Sequence, residues 1–261
     1  MKVRPPYAVL AAHYDEVYEV WRTSLSVARD EIFRARRVGF RSVLDLGCGS
    51  GWQSLELARR GASVVAIDPV RSFLAPLRAR ARKEKLALEV RSGGLPFPPI
   101  RDGERFDLAL ATFDVLNHLS RRDDLLPAFR EVSRALVPGG HFFFDLNTPE
   151  TLELFDEHHR VVRLEGDILS AETGSYDGAE RLGTVRRDWF FPVPAGRGRF
   201  RRVVEEYRET AWSREEVDES LRAAGLRAKL LTDSAGWLSF SPPGARWIGL
   251  AVRTSARAGG S

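Results

Sequence analysis

The sequence predicts an α/β fold: a parallel sheet with helices on both faces, a helical cap ahead of it and a small antiparallel β insert behind it. Three observations predict this. Short β-branched runs alternate with helical segments five times between Ser42 and Leu146. A glycine-rich turn, Gly47-Cys48-Gly49-Ser50-Gly51, joins the first run to the helix after it. Beyond Thr148 the apolar positions switch from helical to alternating spacing.

The elements follow in chain order. Val9, Leu10, Tyr14, Val17, Tyr18 and Trp21 recur at helical spacing, and Leu25 to Val38 reads as a second helix, so residues 1–40 form the cap. Ser42–Leu46 is the first strand, and the helix from Trp52 to Arg60 stops at Gly61. Ser63–Ile67 is the second strand and ends at Asp68; Val70 to Lys85 is helical, with Pro76 expected to kink it or delay its start. Leu86–Val90 and Phe106–Ala111 are the third and fourth strands, separated by a proline-rich loop from Gly93 to Gly103. A helix from Asp123 to Leu136 has Ser120 or Asp123 available as its cap and ends at Pro138-Gly139-Gly140, before a fifth strand at His141–Leu146.

After a short helix from Glu150 to His158, the runs Asp167–Thr173, Gly183–Val193 and Phe200–Trp212 alternate as strands. Tyr176-Asp177-Gly178 and Ala195-Gly196-Arg197-Gly198 suit the hairpin turns between them. In the second run Val185, Trp189, Phe191 and Val193 share a face. A helix from Arg214 ends at Gly225, and Leu226–Thr232 and Trp247–Arg253 return to the main sheet. The core is thus expected over 41–149 and 213–254, the insert over 150–212, and a small, polar, disordered tail over 255–261.

Composition narrows the function classes. With 261 residues, 43% apolar and 29% charged, the chain is expected to be a soluble globular protein with a substantial core. No apolar run approaches the roughly 18 residues of a membrane span, and Met1 to Leu10 carries no signal-peptide segment. Cys48, the one cysteine, forms no internal disulfide and no metal site by itself, so a cytoplasmic, metal-independent protein is expected. The net charge of +4 comes from 40 Lys and Arg against 36 Asp and Glu, a balance that does not support a nucleic-acid partner. The run from Arg78 to Lys83 reads as a solvated helix face.

The glycine turn carries the chemistry. Glycines let the chain bend tightly and let a ligand lie against bare backbone, with helix-terminal N–H groups aimed at it. Asp68 ends the next strand, near the ~20-residue offset at which a carboxylate accepts ribose hydroxyls. The spacing is GxGxG, with Trp52 where a dinucleotide fingerprint needs its third glycine, so a nucleoside cofactor other than a dinucleotide is implied. Asp114, Asn117 and His118 follow strand four, and Asp145 and Asn147 close strand five, at the edge where open α/β sheets bind ligands.

Asp45 through Gly51 resembles the first motif of the class I S-adenosylmethionine-dependent methyltransferases, and Val64-Val65-Ala66-Ile67-Asp68 their second. Phe106-Asp107-Leu108-Ala109-Leu110 and Leu136-Val137-Pro138-Gly139-Gly140 are similar to their fourth-strand motif and the turn before strand five. The resemblance implies a Rossmann-like, seven-stranded, mostly parallel sheet whose last strand is antiparallel. Tyr14-Asp15-Glu16-Val17-Tyr18 is similar to the YDxxY segment of a small-molecule subgroup that includes aminosugar N-methyltransferases. In that subgroup an N-terminal helix covers the cofactor and an antiparallel insert follows strand five.

By position, the resemblance implies that Gly47, Gly49 and Gly51 line the methionine end of S-adenosylmethionine, that Asp45 organises the loop and that Asp68 binds the ribose. Tyr14, Cys48, Pro69 and Thr112 complete the cofactor set. Relatives usually place an acidic residue just after strand three; Arg91-Ser92-Gly93-Gly94-Leu95 has none, leaving Ser92 with backbone groups, or a different contact, to read the adenine. The expected substrate wall is Tyr18, Asp114, Asn117, Asp145, Asn147 and Trp189, with His118 the candidate base for a hydroxyl acceptor. The activity implied is in-line transfer of a methyl group to a nitrogen or oxygen of a small molecule, which requires positioning more than acid–base machinery. An RNA or protein methyltransferase with the same core and a cofactor-binding scaffold without turnover are the alternatives. The aromatic face of the insert points to a homodimer contact.

Overall fold

A computed structural model describes residues 3–194, 198–233 and 244–254; the expected tail and most of the turn at 195–198 lie outside the described residues. The strands are β1 (Ser42–Leu46), β2 (Ser63–Asp68), β3 (Leu88–Ser92), β4 (Phe106–Ala111), β5 (Leu136–Asn147), β6 (His159–Arg163), β7 (Leu169–Asp177), β8 (Leu182–Pro192), β9 (Phe200–Thr210), β10 (Leu226–Asp233) and β11 (Arg246–Arg253). The helices are α1 (Tyr14–Val17), α2 (Glu19–Arg36), α3 (Trp52–Arg59), α4 (Arg71–Lys83), α5 (Leu125–Ala135), α6 (Pro149–Glu153) and α7 (Arg214–Ala223).

Seven strands form one sheet in the order β10-β11-β5-β4-β1-β2-β3, with β11 antiparallel to both of its neighbours. Both faces are covered, which is why its central strands read as nearly continuous apolar runs. The period of two sends Leu44, Leu46, Ala109, Phe142 and Phe144 against α5 and α7, where Phe129, Val132, Val217 and Leu221 meet them. Val43, Val64, Leu108 and Phe143 point the other way, against Leu25, Ile32 and Leu57 of α2 and α3. The strand order reverses between β4 and β1, so the turns that follow these two strands flank a crevice at the sheet's C-terminal edge.

Several boundaries differ from the sequence reading for physical reasons. The cap is not a continuous helix: a 3-10 turn at Leu10–Ala12 precedes α1, and Tyr18 (φ −117°) separates α1 from α2. α4 runs through Pro76, because Phe73, Leu74, Leu77 and Ala81 bury a stripe that outweighs one missing hydrogen bond. β3 lies two residues later than expected, since its pairing with β2 runs from Leu88 opposite Val64 to Ser92 opposite Asp68. β5 begins at Leu136, opposite Phe106, and takes the Pro-Gly-Gly turn into the strand as a register shift. Neither Ser120 nor Asp123 caps α5, which is entered through a 3-10 turn at Arg122–Asp124 without a side-chain cap. The helix expected to His158 ends at Glu153 and continues as a 3-10 turn, Leu154–Glu157. α7, by contrast, carries a complete capping box between Ser213 and Glu216.

The insert is a four-stranded antiparallel sheet, β6-β7-β8-β9. Its edge strand β6 escapes the sequence reading because His159-Arg160-Val161-Val162-Arg163 has no apolar alternation; Val161 is 74% exposed. The N-terminal segment is bonded to this sheet: Arg4 N–H donates to the Val204 carbonyl (2.8 Å). Glu205, fully buried on β9, accepts from the N–H groups of Val9 and Leu10 and from Trp189 Nε1. Leu10, Val17, Leu164, Trp189 and Val203 form one cluster, with Tyr7, Val9, Tyr14, Tyr18 and Phe191 against it. Trp189 and Phe191, on the aromatic face of the insert, thus pack against the N-terminal segment of the same chain.

Candidate active site

The turn after β1 is built as its glycines require. Gly47, Gly49 and Gly51 all have φ between +53° and +76°, a region that costs other residues about 1–2 kcal/mol. Space matters as well: a Cβ on Gly47 would lie 2.3 Å from Val115 and one on Gly51 2.3 Å from Leu77. At Gly49 the nearest atom is in the Tyr14 ring at 3.8 Å, so bare backbone here faces an aromatic face across ordinary contact distance. Gly47 and Cys48 donate to the Ile67 carbonyl (2.8 and 3.1 Å), which ties the turn to the end of β2.

Asp68 is the hinge of this arrangement. Gly49 N–H donates to its Oδ2 (2.8 Å) and Val70 N–H to its Oδ1 (2.7 Å), so one carboxylate holds both the glycine turn and the entry to α4. Each oxygen retains lone-pair capacity for a ligand hydroxyl. Burial pushes the pKa of Asp68 up to about 6 against the pull of the two N–H groups. Asp45 accepts from the Ser54 hydroxyl at the start of α3, and burial lifts it to about 6 as well. The Cys48 side chain packs beneath the turn with Leu55, Ala66 and Leu77, and burial raises its thiol well above the usual range, leaving only its backbone toward a ligand. The Thr112 hydroxyl accepts from Gln53, whose carbonyl accepts from the buried Arg29 of α2 (3.0 Å), so Thr112 is held from the cap side. Ser92 and Pro69 are exposed at the ends of neighbouring strands.

The cap closes over this turn. Ser50 donates to Asp15 (2.5 Å), and Tyr14 meets Phe73 edge-on at 5.2 Å and Tyr18 at 4.9 Å. Tyr18 also accepts from Arg187 of β8 (2.9 Å), which reaches it from the insert. Residues from three parts of the chain therefore wall the crevice.

Beyond β4 lies a buried polar network. Phe113 and Asp114 adopt φ +63° and +62°, two consecutive strained residues of the kind that cluster at functional sites. Phe113 N–H donates to Asp145 Oδ1 (2.7 Å). Arg246 pairs with both Asp114 and Asp145 and donates to Asn147 Oδ1 (2.8 Å). Asn147 in turn donates to Glu209 Oε2 (2.7 Å). Burial pushes Asp145 up to about 6 despite Arg246, and pushes Glu209 up to about 8, reinforced by Asp114. Two carboxylates thus pair with one guanidinium, and a third carboxyl, Glu209, is joined to them through Asn147.

Two expected wall residues do not line open space. Asn117 is fully buried, and its amide is spent on backbone: it donates to the carbonyls of Asn147 and Thr210 and accepts from Asn147 N–H. It joins β5 to the end of β9. Trp189 is likewise fully buried in the cap–insert cluster. His118 does not present a free nitrogen: Nδ1 lies 3.0 Å from the Arg208 carbonyl and Nε2 2.7 Å from the Tyr7 hydroxyl. Tyr7, Glu205, Glu209 and Arg246 escape the sequence reading, because none of them lies within a motif.

Among the described residues no helix is long and apolar enough to cross a membrane, and no group of His, Cys, Asp and Glu has the arrangement of a metal site. Residues 43–140 match the methyltransferase domain family. A putative methyltransferase of Bacillus subtilis, YqeM, is 25% identical over 87% of this chain and 88% of its own length. A methyltransferase structure from Clostridium acetobutylicum superposes with a TM-score of 0.77 at 21% identity, over 95% of this chain and 99% of that one. CalS10, an amino pentose methyltransferase from Micromonospora echinaspora solved with S-adenosylmethionine bound, superposes with a TM-score of 0.72 at 25% identity, over 92% and 96%. Motif, sheet order and likeness agree: residues 43–140 form a methyltransferase domain, and the chain has the fold of the S-adenosylmethionine-dependent methyltransferases.

Proposed function

We propose that this chain methylates a small-molecule amine. The observation that carries the reading is the charge of the network at the sheet edge, where two carboxylates, Asp114 and Asp145, share the one guanidinium of Arg246. A buried excess of carboxylate is costly unless a cation joins it, and a basic amine is such a cation; it reacts in its neutral form, after passing a proton to solvent. Nitrogen is favoured over oxygen on this ground. The amino pentose methyltransferase among the similar structures is named for a small molecule that carries an amine.

The bare turn at Gly47, Gly49 and Gly51 and the carboxylate of Asp68 fit the amino-acid and ribose parts of the cofactor, with Ser92 and Pro69 on the adenine side. The cofactor supplies a methyl group on a sulfonium, already electrophilic. The protein's part is to hold the acceptor nitrogen in line with it and to keep water out. In this reading 41–149 and 213–254 are the catalytic core, while the cap (1–40) and insert (150–212) act as one lid, bonded through Glu205. The same reading places the chain in the cytoplasm, with no nucleic-acid partner and its single cysteine reduced.

The test is calorimetry with S-adenosylmethionine and with a nicotinamide dinucleotide, followed by transfer of labelled methyl from the former to matched primary amines and alcohols. Saturable heat from S-adenosylmethionine alone, with label passing to amines, is the expected result. Label passing only to alcohols, or binding that collapses with salt in the presence of RNA, would overturn the acceptor assignment.

A further inference from the structure

The strand order fixes which way a nucleoside lies across the sheet edge. β1, β2 and β3 are consecutive neighbours, and Ser92, the last residue of β3, pairs with Asp68, the last residue of β2; paired strands lie about 4.8 Å apart. In a ribose the two hydroxyl-bearing carbons sit between the carbon that carries the sulfonium arm and the carbon that carries the base. With the hydroxyls on Asp68 and the arm over the glycine turn after β1, the base leaves on the opposite side, across Pro69 and the end of β3.

What it meets there is poor in partners. From Ser92 to Ile100 the chain reads Ser-Gly-Gly-Leu-Pro-Phe-Pro-Pro-Ile, with no carboxylate or carboxamide. The acids on either side of this stretch are committed to arginines: Glu89 accepts from Arg91 (2.9 Å) and Arg101 (2.5 Å), and Glu104 from Arg91 (2.7 Å). Arg91 also donates to the Pro99 carbonyl (3.0 Å), which ties the loop back on itself. Gly93 spends its N–H on the Asp68 carbonyl (3.2 Å). A Cβ on Gly93 would lie 2.5 Å from Pro99 and one on Gly94 3.4 Å from Pro69, so this backbone runs bare between two proline rings.

The Ser92 hydroxyl is the one polar side chain in the stretch, and it is exposed. A hydrogen bond to such a group exchanges one with water at little net gain. Pro69 and the half-buried Leu95 offer a base apolar surface, which grips a ring without reading its substituents.

We propose that this chain does not read the 6-amino group of the cofactor's adenine, so that a cofactor alkylated on that nitrogen binds as well as the unmodified one. The inference rests on the assignment of the glycine turn and Asp68 to S-adenosylmethionine. Where a buried acceptor meets an amino group, removing both hydrogens leaves that acceptor unpaired and costs affinity. The end of β3 has no such acceptor to strand, and the alkyl groups extend over exposed backbone and Ser92. Selectivity resides in the ribose and amino-acid ends of the cofactor.

Calorimetry on the full chain tests this with two probes, S-adenosylhomocysteine and its analogue dimethylated on the 6-amino group, which differ in the two N–H groups. The analogue should bind within about fivefold of the parent compound. A greater loss overturns the proposal and leaves the cofactor assignment standing, whereas failure to bind S-adenosylhomocysteine sinks the cofactor assignment itself. Ser92→Asp supplies the missing acceptor at an exposed position, and that variant should prefer S-adenosylhomocysteine to the analogue by at least about tenfold. The ratio within one protein cancels any general effect of the added charge. Equal binding of both probes by the variant would place the amino group away from Ser92 and overturn the geometry. Should Ser92→Asp not fold, the two affinities of the unaltered chain decide.

Discussion

Replacing Asp68 with asparagine should remove a pH-dependent penalty from the stability of the cofactor-free protein and weaken its hold on the cofactor. The carboxyl is 5% exposed, and its pKa is pushed from the usual 3.8 to about 6, chiefly by burial. A pKa raised in the folded state means that the ionised form is disfavoured by folding. Stability linked to the protonated form is therefore fully present below pH 3.8 and lost as pH rises through 6. The difference corresponds to about 3 kcal/mol at neutral pH. Asparagine carries no charge and escapes that penalty at every pH, but its amide nitrogen cannot accept, so the N–H of Gly49 or of Val70 loses its partner at a cost of about 1–3 kcal/mol that does not vary with pH. Asp45, raised mainly by its own burial and further by Asp68, shifts the balance the same way. Relaxation of the site reduces the figure, and the variant is expected to gain about 1–3 kcal/mol on the unaltered protein as pH rises from 3.5 to 8. Urea denaturation of both proteins across that range reads it as a difference curve that disfavours the variant at the acid end and rises between pH 4 and 6. Calorimetry should show S-adenosylmethionine bound at least about tenfold more weakly by the variant, since one charged acceptor for ribose hydroxyls is lost. A flat difference curve would refute the burial argument, and unchanged affinity would refute the assignment of Asp68 to the ribose.

Two further outcomes follow from the same geometry. Gly51→Ala places a Cβ 2.3 Å from the buried Leu77 side chain at φ +76°; overpacking and left-handed strain together should cost about 2–4 kcal/mol in chemical denaturation. Glu205→Ala strips the acceptor from the N–H groups of Val9 and Leu10 and from Trp189 Nε1. Unpaired buried donors cost about 1–3 kcal/mol each, so the N-terminal segment should detach and become the first site cut in limited proteolysis, while the Ser42–Leu146 core stays resistant.

The sheet was legible because its signals are local. Ser42–Leu46 and Phe106–Ala111 carry their own apolar runs, and Gly47, Gly49 and Gly51 need their left-handed backbone wherever the chain goes. The boundaries that moved are those set by a neighbour. β3 shifted because β2 dictates its register, and β5 started early because Phe106 offers Leu136 a partner. Trp189 illustrates the limit: its one-sided alternation with Val185 and Phe191 showed that it would be covered, and only the path of residues 4–18 showed by what.

The amino-acid order alone determined the reaction class, since a strand, a glycine bend and a carboxylate on the next strand are close in sequence and interact through short-range backbone geometry. Tertiary structure decided the polar network at the sheet edge. Tyr7, Asp114, His118, Asp145, Glu209 and Arg246 lie on five separate segments and acquire their meaning from one another. The charge on a buried carboxylate depends on its burial and on which partners folding brings to it, and nothing in the spacing of those residues along the chain records that.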